Sequence, residues 1–453
     1  MGSRGQLLTS GLLTLFLLLP FSAFSTRFVF SGDLRGEIKP CGCAEEGDMG
    51  GLLRQATVLR EQRATSPELA YLNLGNNFPK PSEQGNLKVR LIHTALRQFQ
   101  PAAILVGPNE WAYGLNTLDP ELPYLLSNQS ERLDFLGRKR LETDGRHVEI
   151  LGFLSSSLVY QNENDPPLVK SVEVVVPEWQ ADLTKTKPAL SILLFRGTDV
   201  ELEAFQRSGM FDLIVSGSTN DDELKQVMAR KTKRGEIPMI PTKGQGLVSG
   251  MWDAQAGTIH SSGEMPLPEG LSVDWLRRDV VDDPELLPEF QTYNMEVKEL
   301  FFKNLDRMDK QQQESPFVGS TVCQACHAEA FSIWKDSRHS HAFATLEAQG
   351  KHFDPECLEC HVVGLKSWKP SPDWVSPALK SFVGRTGFLS PQLTPHLINV
   401  QCENCHGPAR AHLANPSAEK PPHPARAVCT SCHIGSHSPS FNFKSYWPKI
   451  RHK

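Results

Sequence analysis

The chain has 453 residues, 22% of them charged, and a formal net charge of −5, so it is long enough for two or three domains. Residues 317–453 carry 14 Lys and Arg against 9 Asp and Glu, whereas the remainder carries 33 against 43. No helix-turn-helix pattern and no basic stripe with interleaved aromatic residues accompany the basic segment, so nucleic acid is not expected as a partner.

Residues 1–25 have the three parts of an export signal peptide. Arg4 supplies a positive charge, residues 7–19 form an apolar core, and residues 23–25 (Ala-Phe-Ser) offer small side chains for cleavage. The apolar run is shorter than the about 20 residues that span a membrane, and an uncleaved anchor stays as the alternative. Because no later segment reaches transmembrane length, we expect an exported protein without a stable membrane span after cleavage.

Residues 26–277 are predicted to form an α/β layered sandwich. Short apolar runs that end at a Gly or a polar turn have the length and composition of buried strands. Amphipathic stretches at 52–63 and 89–99 separate several of these runs and have apolar residues at helical spacing. The alternation favours layers built on a largely parallel or mixed sheet. The predicted strands are residues 27–30, 70–74, 103–106, 148–153, 190–195, 213–215 and 248–252.

Polar or glycine-containing blocks follow five of these strands, at the sheet edge where α/β proteins bind ligands. They are Ser-Gly-Asp-Leu-Arg (31–35), Leu-Gly-Asn-Asn (74–77), Gly-Pro-Asn-Glu (107–110), Phe-Arg-Gly (195–197) and Ser-Gly-Ser-Thr-Asn (216–220). In this order the blocks resemble those of metallophosphoesterases of the 5′-nucleotidase type. The resemblance covers most of residues 26–277 and implies a metallophosphoesterase-like fold.

Most metal ligands of that family are missing from these blocks. Asp33 and Asn109 match ligand positions. The residues that mark a missing Asp or His are Arg35, Asn76, Phe195, Ser218 and Asn220. A dinuclear hydrolase needs several anionic or imidazole ligands, and Arg35 places a fixed positive charge where a metal ion would bind. The resemblance therefore implies a degenerate domain kept for docking, for binding a small anion or for shielding the C-terminal cofactors. Asp33 is equally well explained as a turn or helix-cap carboxylate.

Cys41 and Cys43 stand two residues apart in the sequence Pro-Cys-Gly-Cys. A disulfide between them would be strained, and no other cysteine is left over to pair with either thiol. Free thiols, a shared metal ion and a strained reversible disulfide all stay open. We expect a structural or redox-sensitive loop.

Residues 278–316 are predicted to be a helical linker. Residues 286–309 are charged with intermittent Leu and Phe, which is typical of a connecting helix, and the Gln-rich residues 311–316 end with Pro.

Four copies of Cys-x-x-Cys-His lie in residues 317–453 and use eight of the ten cysteines. This is the attachment motif of c-type haem, in which two thiols bond to the haem vinyl groups and the histidine is the proximal ligand of the iron. Zinc sites and disulfides are the alternatives, but neither needs a histidine directly after the second cysteine. We therefore expect four covalently bound haem c groups. The motifs are Cys323–Cys326–His327, Cys357–Cys360–His361, Cys402–Cys405–His406 and Cys429–Cys432–His433.

The sixth ligands of the irons are sought among eight further histidines, since histidine is the common second ligand of multihaem proteins. They are His339, His341, His352, His396, His412, His423, His437 and His452. Four haems in so short a segment leave little room for an apolar core, so the porphyrins themselves are expected to form it.

The blocks around these motifs resemble the cytochrome c-554 family. They are residues 318–323, Trp334 with 337–342, 357–364, 400–408 with His412, and 443–452. The resemblance implies a mainly α, loop-rich multihaem cytochrome c domain over residues 317–453. It implies His339, His412 and His452 as distal ligands, with His341 as a competitor of His339 and with His352 and His396 in reserve. It also implies closely stacked haems and one iron without a strong sixth ligand.

These expectations describe a periplasmic tetrahaem cytochrome that carries electrons between periplasmic donor and acceptor proteins. The main alternative is a haem enzyme that reduces NO or oxidises hydroxylamine at an open iron, with small nitrogen compounds as its ligands. A weaker alternative is an active phosphoesterase.

Overall fold

A computed structural model of the chain describes residues 25–40, 48–143, 145–162, 165–218, 228–261, 263–309, 315–365, 387–424, 426–434, 438 and 440–452. The predictions for the signal peptide, Cys41, Cys43, Asn220 and His437 lie outside these residues. Within the part that is described, no helix has the length and apolar character that a membrane span requires.

The strands of the described residues all lie in the N-terminal part of the chain. In chain order they are β1 (Ser25–Ser31), β2 (Ala70–Asn73), β3 (Ala103–Leu105), β4 (Tyr124–Leu125), β5 (Lys139–Thr143), β6 (Arg146–Leu154), β7 (Leu190–Arg196), β8 (Leu213–Ser216), β9 (Ala229–Thr232), β10 (Gly235–Pro238), β11 (Gly246–Asp253), β12 (Thr258–His260), β13 (Met265–Pro266) and β14 (Ser272–Trp275). Each of the seven predicted strands overlaps one of them.

Helices occur in both parts of the chain. They are α1 (Leu52–Thr65), α2 (Glu83–Phe99), α3 (Pro108–Tyr113), α4 (Val172–Thr186), α5 (Asp199–Ser208), α6 (Leu287–Asp309), α7 (Ala328–Lys335), α8 (Ala342–Ala348), α9 (Pro355–His361), α10 (Cys402–His406), α11 (Arg410–Ala414), α12 (Arg426–Thr430) and α13 (Phe443–Tyr446). Helix α2 begins six residues before the predicted start, because the Ser82 side chain accepts a hydrogen bond from the Gly85 N–H and caps the helix.

The first sheet is mixed. Its strand order is β13-β14-β11-β1-β2-β3-β4, with β12 paired to β11. Strands β1, β2, β3 and β4 run parallel to one another, whereas β11 runs antiparallel to β1 and β14 runs antiparallel to β11. The carboxyl ends of the parallel strands β1, β2 and β3 therefore lie at the same edge of the sheet.

The second sheet has the order β5-β6-β7-β8, with β6, β7 and β8 parallel. Its inner face packs on the first sheet, and the buried cluster between them includes Phe28 and Phe30 from β1 together with Ile192 and Leu194 from β7. Val29, between the two phenylalanines, packs on the opposite face of the first sheet. This alternation has the period of two that a strand with two buried faces requires.

Helices cover the outer faces of both sheets. Side chains of α1 and α2 pack with Val29 on the first sheet, and α4 and α5 contribute Trp179 and Phe205 to a cluster with Phe153 and Phe195 of the second. The layers are thus helix, sheet, sheet and helix, and the predicted α/β layered sandwich is confirmed.

The segment predicted as a linker begins inside the N-terminal core. Phe290, Tyr293 and Val297 of α6 follow one another at three- and four-residue spacing and are buried in the cluster that includes α1 and α2. Phe301, one turn further on, packs instead on the buried cluster of the C-terminal part. Helix α6 therefore belongs to both parts of the chain.

The C-terminal part is helical and rich in loops, as predicted. Its helices have four to eight residues. The buried hydrophobic cluster of its described residues is small and consists of Phe317, Phe343, Leu346, Leu358, Val362, Val363, Phe388 and Leu397.

Helix α5 offers a matched test of the outer layer. Phe205 is fully buried, with its ring 5.0 Å from Phe153 and 5.7 Å from Trp179, whereas Val200 on the same helix is 72% exposed. We expect Phe205→Ala to lower the free energy of unfolding by about 3–5 kcal/mol and Val200→Ala by less than about 0.5 kcal/mol. Urea unfolding followed by far-ultraviolet circular dichroism measures both. Equal losses would contradict this packing.

Candidate functional site

Each haem-attachment motif spans about one helical turn, so that its two thiols project from the same side. The second and third motifs lie on α9 and α10. In the first and fourth motifs the histidine N–H donates to the carbonyl of the first cysteine, from His327 to Cys323 and from His433 to Cys429, at 2.9 Å in both. The local fold of each motif therefore brings its two thiols to one side, as the attachment of a single planar group requires.

Three histidine pairs join motif residues to distant parts of the chain. The ring centroids of His327 and His412 are 6.2 Å apart, those of His433 and His339 are 6.1 Å apart, and those of His406 and His452 are 5.7 Å apart. A metal ion bonds an imidazole nitrogen at about 2 Å, so two imidazoles on opposite sides of one ion have centroids about 6 Å apart. The spacing of all three pairs fits an iron held by two histidines.

Three of these six histidines contact a backbone carbonyl oxygen through Nδ1. His406 Nδ1 bonds the Pro422 carbonyl at 3.0 Å, His412 Nδ1 bonds the Glu419 carbonyl at 2.6 Å, and His452 Nδ1 bonds the Ile450 carbonyl at 3.0 Å. A carbonyl accepts only from N–H, so each of these three rings carries a proton on Nδ1, and in the neutral ring the lone pair is then on Nε2. This tautomer suits a metal ligand.

Burial favours the neutral form of several of these rings. It lowers the pKa of His339, His406 and His433 below the ordinary value of histidine, because the charged form is poorly solvated inside the protein. A neutral imidazole is the form that binds a metal ion.

His361 of the second motif has the same second contact, since its Nδ1 bonds the Ala342 carbonyl at 2.6 Å. Of the reserve ligands, His352 has its ring 3.9 Å from the Phe353 ring, and the backbone carbonyl of His396 accepts from Gln401. His341 Nδ1 bonds Ser340 Oγ at 2.7 Å. Of the two competing histidines, His339 is the one that approaches a motif histidine.

The third motif forms hydrogen bonds with several other segments of the C-terminal part. The buried Glu403 carboxylate accepts from the N–H groups of Val318, Gly319 and Ala409 at 2.8–3.1 Å. Burial raises the pKa of Glu403, and these backbone groups oppose that shift. Asn404 Nδ2 donates to the Val362 carbonyl at 2.9 Å. Glu403 and Asn404, which lie between the cysteines of α10, thus hold the chain before the first motif, after the second and after the third.

The first and third motifs also meet directly. The side chains of Cys323 and Cys402 lie close enough for each thiol to shift the pKa of the other, upward for Cys323 and downward for Cys402. This contact brings the attachment positions of the two motifs together.

The second polar cluster lies at the strand ends of the N-terminal part. The carboxylate of Asp33 is fully buried, and its Oδ1 is 3.1 Å from Arg196 Nη1 while its Oδ2 is 3.1 Å from Arg35 Nη2. Asn76 Nδ2 donates to Asp33 Oδ1 at 2.7 Å. Asp33 is therefore the acceptor at the centre of the cluster, in addition to its place in the turn after β1.

Arg196 links the ends of several strands. Its guanidinium is fully buried and donates to the carbonyls of Leu74, Ser218 and Gly75 at 2.7, 2.7 and 3.2 Å. Burial lowers the pKa of Arg196, and the carboxylate of Asp33 counters this effect. The guanidinium is thus satisfied by backbone oxygens and one carboxylate.

The turns after β2 and β3 touch closely at this cluster. A Cβ at Gly75 would lie 2.0 Å from the Leu105 carbonyl oxygen, and Gly75 has a φ of +65°, so only glycine fits there. The buried Glu110 carboxylate accepts from the N–H groups of Asn76 and Asn77 at 2.8 and 2.7 Å, and burial raises its pKa. Glu110 therefore ties α3 to the turn after β2.

The other predicted ligand position has a structural contact. Asn109 Nδ2 donates to the Phe78 carbonyl at 2.6 Å. Among the described residues, no group of three or more His, Cys, Asp or Glu is placed to hold a metal ion.

Sequence reasoning missed Arg196, although the Phe-Arg-Gly block was recognised. A charged residue that ends a run as apolar as Leu190–Arg196 is unusual, because a guanidinium inside a protein needs several acceptors. That signal marks Arg196 as a buried partner of some carboxylate, but it does not identify Asp33.

The Asp33–Arg196 pair predicts a large stability effect. We expect Arg196→Met to lower the free energy of unfolding by about 3–5 kcal/mol, since a buried carboxylate and three carbonyls lose a donor. Arg277→Met is the control and should cost no more than about 1 kcal/mol, because Arg277 and its partner Glu264 are both half exposed. Urea unfolding of both variants measures the difference, and similar losses would refute the assignment.

The comparisons with known proteins divide along the same line as the fold. Residues 322–407, which include the first three motifs, match the model of the family described as cytochrome c554 and c-prime. A cytochrome c-554 of Nitrosomonas europaea is 29% identical over 97 residues, which are 21% of this chain and 40% of that protein. The chain thus spans less than half the length of this relative.

Solved structures that are similar to the N-terminal part include phosphoesterases. A 5′-nucleotidase precursor from Thermus thermophilus has a TM-score of 0.48 and 14% identity, over 66% of this chain and 61% of that one. A calcineurin-like phosphoesterase from Bacillus subtilis has a TM-score of 0.43 and 14% identity, over 60% and 97% of the two chains. Because both TM-scores are below 0.5, the fold is assigned from the strand order of the two sheets and not from these similarities. The C-terminal part of the chain matches a family of c-type cytochromes, which implies covalently bound haem c.

Proposed function

We propose that the protein is a tetrahaem c-type cytochrome that carries electrons between periplasmic donor and acceptor proteins. The observation that supports this most directly is the set of three histidine pairs, each with one ring from a Cys-x-x-Cys-His motif. Iron held by two imidazoles has no exchangeable position and passes electrons without changing its ligands. Such a centre suits a carrier.

The residues of the chain have three roles in this proposal. The eight motif cysteines attach the cofactors, and His327, His361, His406 and His433 are the proximal ligands. His412, His339 and His452 are the distal ligands for the first, fourth and third motifs. Bound haem supplies the one-electron chemistry, and the chain sets its ligands and its burial.

The N-terminal domain has no hydrolytic role in this proposal. Hydroxide-generating dinuclear sites need anionic or imidazole ligands around two cations. Here Asp33 is paired with two guanidinium groups, those of Arg35 and Arg196, and Arg196 is fully buried. Their positive charges would repel a metal ion from the one carboxylate that matches the family pattern.

The predicted signal and the haem motifs support the periplasm as the location, because c-type haem is attached outside the cytoplasm. Redox partners would dock transiently, so that electrons enter and leave through different encounters. The basic excess of residues 317–453 is offset in this proposal by the propionates of the bound haems.

The distal ligand of the fourth motif is tested with a matched pair of variants. We expect His339→Met to keep four haems but to raise the potential of one of them, because a methionine ligand favours the reduced iron. His341→Met, two residues away, should leave all four potentials unchanged. Redox titration followed by visible absorption measures both, and His412→Met extends the test to the first motif. An unchanged titration for His339→Met would remove it from the ligand set.

A second experiment separates a carrier from an enzyme. We expect the oxidised holo-protein to contain four haems and to give low-spin electron paramagnetic resonance signals for at least three, and NO should leave those signals unchanged. A high-spin signal that NO abolishes would identify an open iron and favour an enzyme that acts on small nitrogen compounds. Fewer than four haems would contradict the proposed stoichiometry.

A further inference from the structure

The segment just before the second haem motif lies against the N-terminal domain. Gln84 of α2 is buried, and its Nε2 donates to Asp354 Oδ1 at 2.9 Å and contacts Tyr293 Oη at 3.0 Å. Asp354 is the N-cap of α9, since the same Oδ1 accepts from the Glu356 N–H at 3.1 Å. One amide of the N-terminal domain therefore holds the capping residue of the helix that carries Cys357, Cys360 and His361.

An ion pair crosses the same contact. Lys88, one turn after Gln84 on α2, donates from Nζ to Glu356 Oε2 at 2.6 Å. The Lys88 side chain is 10% exposed and that of Glu356 is 53% exposed. Burial alone would lower the pKa of Lys88, but the carboxylates of Glu356, Glu37 and Asp354 together outweigh this effect and raise it. The ammonium group thus stays charged beside the residue that directly precedes Cys357.

Helix α6 completes the contact from the other side. Lys351 Nζ donates to Asn294 Oδ1 at 2.8 Å and lies 5.0 Å from the centre of the Phe290 ring. The ring of Phe353 packs 5.9 Å from that of Phe301 and 4.9 Å from Lys298 Nζ. Residues 351–356 therefore pack between α2 and α6. This packing holds the Lys88–Glu356 pair in a fixed position relative to α9.

We infer that the α/β domain positions and electrostatically tunes the second haem, with Gln84 and Lys88 as positioning residues that act through Asp354 and Glu356. This inference rests on the proposed haem at the second motif. It gives the N-terminal domain a role that needs no ligand of its own: it supplies a fixed positive charge at one of the four redox centres.

The sign of the effect follows from charge. Reduction of ferric to ferrous iron adds one electron and removes one positive charge, so a nearby cation favours the reduced form and a nearby anion the oxidised form. Lys88→Met should therefore lower one of the four midpoint potentials, and Glu356→Gln should raise the same one. The double variant should return close to the parent, and Lys88→Arg should retain the parent potential.

The size of the shift is set by distance and screening. A unit charge about 10 Å from an iron, at an effective dielectric constant of about 20, changes the ratio of reduced to oxidised haem roughly tenfold. Tenfold is about 59 mV for one electron. Shifts of this order or smaller are expected at the second haem, with the other three unchanged.

The chain offers a matched control on the same helix. Arg90 of α2 pairs with Glu296 of α6 at the same distance of 2.6 Å, but both residues belong to the N-terminal side of the contact. Arg90→Met and Glu296→Gln should leave all four potentials unchanged.

The experiment is a spectroelectrochemical titration of the full-length holo-protein and its variants, after the haem content has been counted. Opposite shifts of one potential for Lys88→Met and Glu356→Gln support the inference, because a general loosening of the contact would move both variants in the same direction. Four haems with unshifted or equally shifted potentials would overturn this inference and leave the proposed function intact. A purified protein without haem would overturn both.

Discussion

The C-terminal part is organised around a separation of about 6 Å between paired imidazole rings, which is the spacing that one shared metal ion would set. It joins segments that are far apart in sequence, since His327 meets His412 and His433 meets His339. The surrounding helices have eight residues or fewer, and isolated helices of that length are not stable in water. The polar contacts of Glu403 hold the chain around these pairs, and its buried carboxylate serves three backbone donors that no helix satisfies.

In the N-terminal part, by contrast, the buried polar and charged groups form hydrogen bonds and ion pairs with other groups of the protein. Its two sheets provide a continuous apolar core, and the charged groups at the strand ends are paired rather than left to bind a ligand. Arg196 is the key residue, because its guanidinium contacts the turn after β2, the turn after β8 and Asp33. Replacing one partner of such a cluster leaves a buried charge without compensation. This cost explains how a strand-end geometry that resembles a metal site can persist without metal ligands.

The sequence predicted the strands, the two-part division and the haem motifs because each is encoded locally. The choice between His339 and His341 as a candidate iron ligand depends on contacts with a distant part of the chain, so the neighbouring sequence does not determine it. Both lie in the 3-10 turn Arg338–His341, in which successive residues are rotated by about 120°, so residues two apart point to different sides. Only the fold shows that His339 reaches His433. The role of Arg196 was hidden for the same reason, since its acceptors come from three separate loops. The dual packing of α6 was hidden too, because one helical pattern of Phe and Leu fits either core.

The two parts of the chain are coupled by residues that neither family resemblance would single out. Gln84 and Lys88 stand one turn apart on α2, both are buried, and each contacts a residue of the segment 351–356. Burying a lysine is costly unless a carboxylate compensates it, and Glu356 does so next to the first cysteine of the second motif. The contact therefore places a buried charge at a haem attachment position. If the N-terminal domain only shielded the C-terminal part from solvent, an apolar or weakly polar surface at this contact would be sufficient. The paired charge and the hydrogen bond from Gln84 to the N-cap residue Asp354 support the inference that this domain positions the group attached at the second motif.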